Sequence, residues 1–68
     1  MKKNAYVTIT ASPELSELRL DELAGRRGIV VEDLSFMGKH PKGGMVLLEE
    51  AYLDEFIWFI PETAVIYE

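Results

Sequence analysis

The alternation of apolar and polar positions is densest in the last third of the chain. Phe56-Ile57-Trp58-Phe59-Ile60 is a run of bulky apolar residues that includes the only tryptophan; it stops at Pro61 and resumes at Val65-Ile66-Tyr67. No other stretch is as apolar, so the core has to form around it. Read as a strand from Glu55 to Ile60, it places Phe56, Trp58 and Ile60 on one face and Ile57 and Phe59 on the other. Either face can be the buried one; placing Phe56, Trp58 and Ile60 inside is the preferred register. Pro61 to Ala64 has the length of a single 3₁₀ turn, and Val65 to Tyr67 makes a short last strand.

Period-2 patterning predicts three earlier strands. Ala5 to Thr10 alternates Val7 and Ile9 with hydroxyl-bearing residues, and Ser12-Pro13 ends it because proline cannot continue a central ladder. Ile29 to Leu34 begins with three β-branched residues, as suits the middle of a small curled sheet. Gly43-Gly44 leads into Met45 to Glu50, and Ala51 to Asp54 returns the chain into the Glu55 strand as an antiparallel hairpin. Residues 12–23 admit two readings. Ser12 can cap a helix with Pro13 at its first position and Glu14 and Glu17 near the positive end. Alternatively the segment is a long loop with one helical turn at 13–17 and a short extended piece at 18–20. Leu15, Leu18 and Leu23 fit a helical stripe loosely and Leu20 falls off it, which favours the loop. Leu23 to Gly28 is a turn between two glycines able to adopt positive φ, and Ser35 to Lys42 is a loop broken at Gly38 and Pro41.

Length and composition bound this picture. At 68 residues the chain is expected to be one domain, 1–68, with a stability of about 3–10 kcal/mol at typical per-residue values. The absence of cysteine removes a disulfide framework and fits a reducing, cytoplasmic setting. Met1-Lys2-Lys3 resembles the start of a signal peptide, but Asn4, Thr8, Thr10 and Ser12 interrupt the apolar stretch that should follow. No window approaches a membrane span, so no membrane partner is expected. The net charge of −5 hides an asymmetry: all seven basic residues lie before position 43, and from Gly43 onward every charge is an acid. That balance disfavours nucleic acid as the main partner and leaves room for a local basic patch.

Two local patterns carry a resemblance. Leu23-Ala24-Gly25-Arg26-Arg27-Gly28-Ile29-Val30-Val31 is similar to the KOW-type opening of SH3-like barrels. Trp58-Phe59-Ile60-Pro61-Glu62-Thr63-Ala64-Val65 resembles the close of many such domains, where a strand ends at Ile-Pro and a valine follows one turn. The resemblance implies an all-β fold: a small five-stranded SH3-like barrel with a long first loop and one 3₁₀ turn before the last strand. It does not assign a role, because such barrels serve as peptide readers, nucleic-acid modules and subunits of complexes. Peptide-reading members carry acids and aromatics in the first loop; here the loop has Glu14, Glu17, Asp21 and Glu22 and no aromatic.

Candidate chemistry is sparse. His40, the sole histidine, has no cysteine, second histidine or nucleophile at a useful spacing, so it reads as an exposed loop residue and no metal or cofactor is expected. Glu49, Glu50, Asp54 and Glu55 gather four carboxylates at one hairpin, the pattern of a solubilising tip more than of a paired-acid site. Arg26 and Arg27 with Lys39 and Lys42 form the candidate nucleic-acid patch, but the two loops lie at opposite ends of the second strand, roughly 20 Å apart. The surplus is apolar: strands three and four carry bulky residues on both faces, and Phe36 and Met37 add more in a loop. These observations lead to the expectation of a non-enzymatic interaction module or small subunit of a complex. It would bind another protein, or itself, through Ile57, Phe59, Val46, Leu48 and Phe36. The alternative is a KOW-like module associated with nucleic acid or the ribosome through the basic turns.

Overall fold

A computed structural model describes residues 1–34 and 42–68. The chain is all-β. Its five strands are β1 (Tyr6–Ile9), β2 (Arg27–Asp33), β3 (Gly43–Tyr52), β4 (Glu55–Pro61) and β5 (Val65–Tyr67). They form one antiparallel sheet in the order β4-β3-β2-β1-β5. The meander β1 to β4 is thus completed by a last strand that returns beside the first. β4 and β5 are the two ends of this order and are not hydrogen-bonded to each other, so the sheet is open.

The long first connection resolves into three pieces. Helix α1 (Pro13–Glu17) starts as its capping chemistry requires: the Leu15 amide donates to the Ser12 hydroxyl over 3.0 Å, and Pro13 occupies the first turn. The extended piece expected at 18–20 does not form. Leu18 is helical, Arg19 takes φ +60°, and the Leu20 amide turns back to the Leu15 carbonyl at 3.1 Å. A 3₁₀ turn over Asp21–Leu23 follows. The chain doubles back here because Leu15 and Leu23 are both buried in the core, and an extended 18–20 would carry them apart. The second 3₁₀ turn, Glu62–Ala64, lies where the Ile-Pro stop placed it.

The two glycines flanking Arg26-Arg27 do different work. Gly25 adopts φ +91°, the left-handed region open to glycine, and its amide donates to the Ile9 carbonyl. Gly28 lies inside β2, where a Cβ would sit 2.5 Å from the Leu47 carbonyl oxygen and 2.7 Å from Val46 Cγ1. Its bareness lets β2 and β3 approach.

Val7, Ile9, Val30, Val46, Leu48 and Ile60 line one face of the sheet, and Leu15, Leu23 and Ala64 close over them. This is the core. In β4 the preferred register holds at Ile60, which is buried, and at Trp58, which packs on the core's rim, but Phe56 is 49% exposed. The reason lies in β3, whose register against β4 shifts between Leu47 and Tyr52. Leu48 to Ala51 together face little more than Phe56, so the hairpin bends away and Phe56 overhangs the end of the core. A two-residue turn closes it, with Leu53 at φ +50° and Asp54 at +66°, the signs of a type I′ turn. No helix among the described residues is long and apolar enough to cross a membrane.

Candidate functional site

The other face of the sheet is also apolar. Cross-strand partners point to the same side, and the register links Tyr6 to Ile29, Ile29 to Leu47, and Leu47 to Ile57. One straight apolar ladder therefore crosses β1, β2, β3 and β4 on the side away from the core. Met45 pairs with Phe59 to extend it toward the β2 bulge, and Ile66, paired with Thr8, extends it toward β5. Exposure is 65% for Tyr6, 38% for Leu47 and 49% for Ile57, while Ile29, Met45 and Phe59 are half-buried.

These positions sharpen the expected partner surface and correct part of it. Ile57 and Phe59 do lie on the outer face. Val46 and Leu48 do not: both are buried in the core, because β3 turns its even-numbered residues inward to meet Val30 and Trp58. The outward residues of β3 are Met45 and Leu47. Phe36, Lys39 and His40 lie outside the described residues. Tyr6 and Ile29 were missed because each sits in a strand whose inward partners dominate the pattern. The detectable signal was Ile29-Val30-Val31, which is apolar at consecutive positions and so has to show a side chain on each face.

Electrostatics on this face centre on Arg27. Its guanidinium donates to both Glu68 carboxylate oxygens, at 2.8 and 2.5 Å, and Thr8 donates to the same carboxylate at 3.1 Å. The Arg27 hydrogen bond, above all, holds the Glu68 carboxyl below the usual carboxylate range, and the Glu68 hydrogen bond raises Arg27 in turn, with Glu49 adding to the field. Arg26 takes a different environment, 5.4 Å over the Tyr52 ring. Tyr52 meets Trp58 edge-on at 5.4 Å and donates its hydroxyl to Glu22 at 2.8 Å, a hydrogen bond that raises the phenol's pKa. The structure thus brings an aromatic pair beside a first-loop acid, a juxtaposition invisible in the loop's own sequence.

Among the described residues, the candidate basic side chains Arg26, Arg27 and Lys42 do not converge. Arg26 and Arg27 stand at the start of β2, while Lys42 precedes Gly43, which bonds to Leu34 just beyond the far end of β2. Glu49, Glu50, Asp54 and Glu55 are all exposed, and among the described residues no three acidic or histidine side chains are placed to hold a metal ion. What the outer face offers is apolar contact. Burying the remaining surface of Tyr6, Leu47 and Ile57 would contribute about 3–5 kcal/mol. Compared with protein-family profiles, with curated proteins and with solved structures, the chain matches none.

Proposed function

We propose that this protein is a non-enzymatic interaction module that binds a protein partner through the outer face of its sheet, centred on Leu47 and Ile57 of β3 and β4. The observation that supports the reading is the registered ladder Tyr6–Ile29–Leu47–Ile57, an apolar row left open on a small domain. Soluble domains rarely leave contiguous apolar rows open unless something covers them. An SH3-like, partly open barrel is the architecture we infer for it, on the grounds of strand order and the Ile-Pro turn. The basic turns support a nucleic-acid role less well: Arg27 is engaged by Glu68, Arg26 lies over Tyr52, and Lys42 is at the other end of the sheet.

Ile57→Glu tests the proposal. The side chain is half exposed, so the variant should keep its circular dichroism spectrum and lose association in sedimentation and pull-down. Association unchanged in a folded Ile57→Glu protein would overturn the reading.

A further inference from the structure

The outer face carries charge as well as apolar surface, and the charge is lopsided. The charged residues at its positions in β2 and β3 are Glu32 and Glu49, plus the single cation Arg27. Glu32 pairs across from Met45, and Glu49 follows Leu47 by two residues. Arg27 is taken by Glu68. The ladder is therefore bordered by carboxylates that no described cation on that face compensates, apart from the share of Arg27's field felt by Glu49. Among the described residues, Lys2 and Lys3 line a cleft beside Tyr6 at the β1 end, and the Met1 ammonium is held by Asp33 at 2.7 Å.

Magnitudes decide what such a surface can hold. The apolar gain of about 3–5 kcal/mol falls within the cost of immobilising two molecules, so the ladder alone gives weak binding. Charge complementarity has to supply steering and selectivity. A second copy of this chain supplies the wrong sign, since each carries −5 and the same acidic border. From Tyr6 to Ile57 there are three inter-strand steps, about 14 Å at usual strand spacing. A helix covers that distance in about ten residues.

We infer that the partner of the outer face is a basic amphipathic helix of another protein, its apolar stripe laid along Tyr6–Ile29–Leu47–Ile57 and its Lys or Arg residues set against Glu32 and Glu49. The inference rests on the outer-face reading of function and adds the partner's chemistry to it.

The experiment titrates the intact protein calorimetrically with two synthetic helical peptides of about 14 residues. They share a leucine stripe and differ only in bordering it with lysine or with glutamate. The lysine peptide should bind at least tenfold tighter at low salt, and added salt should erase the difference. Glu32→Lys/Glu49→Lys, with both changes at exposed positions, should reverse the preference, and Ile57→Glu should abolish binding of both peptides. Equal binding of the two peptides, or none of either, overturns the basic-helix inference. A self-complex that Ile57→Glu disrupts would overturn it too, while leaving the outer-face function standing. Full retention of binding by folded Ile57→Glu would bring down both.

Discussion

β4 presents the same kind of side chain on its two faces, and the two faces meet opposite fates. Ile60 is wholly buried in one cluster with Leu15, Leu23 and Ala64. Ile57, three residues earlier, is 49% exposed. Hydropathy does not separate them. Coverage does: α1 and both 3₁₀ turns bring their buried residues, Leu15, Leu23 and Ala64, to the Ile60 side. In a sheet this small the core is the face on which the connections land, and apolar residues on the other face stay exposed.

Truncating both sides equally separates the two faces most clearly. Ile60→Ala should cost about 2–5 kcal/mol in urea unfolding, against less than about 1 kcal/mol for Ile57→Ala. Equal losses would mean that the outer face is a second core. Gly28→Ala should cost about 1–3 kcal/mol by the same measurement, because its Cβ would meet Leu47 backbone and Val46 on the inner side. Wild-type stability there would show that β2 and β3 are not so closely apposed.

How much of this was legible in the sequence follows the same division. The strands, the helical turn after Ser12-Pro13 and the Ile-Pro stop are local signals, each readable from propensity or proline chemistry, and they place the elements well. The parity of β3 was not local. Met45-Val46-Leu47-Leu48 is apolar on both sides, and only pairing with Val30 and Trp58 decides that Val46 and Leu48 go in while Met45 and Leu47 stay out. The overhang of Phe56 was hidden for a related reason, since a register shift leaves no mark in a run of strand-forming residues. Tyr52 with Glu22 was beyond reach because they are thirty residues apart.

Smaller effects sharpen the picture at its edges. Leu53 holds φ +50°, a conformation that costs an ordinary residue about 1–2 kcal/mol and asparagine less. Leu53→Asn should therefore raise stability by about 1 kcal/mol, read as a higher urea midpoint with an unchanged slope. A fall would show that Leu53, despite its exposure, packs on something. The smallest effect is electrostatic. Because Arg27 lowers the folded Glu68 pKa, that pair's contribution is fully present above the unfolded glutamate pKa, near 4.3, and is lost as pH falls through the lower folded value. Wild type and Glu68→Gln should differ in stability at pH 6 and converge once the pH falls below the lowered Glu68 value. A constant gap across that range would remove the ion pair as its source.

We propose that the outer face, and not the covered side, meets a partner. A photoreactive residue placed at Ile57, compared with one at exposed Glu17 on α1, tests this most directly in the cells that make the protein. Position 57 should give a discrete crosslinked adduct that position 17 does not. No adduct at 57, or the same adduct from both, would contradict it.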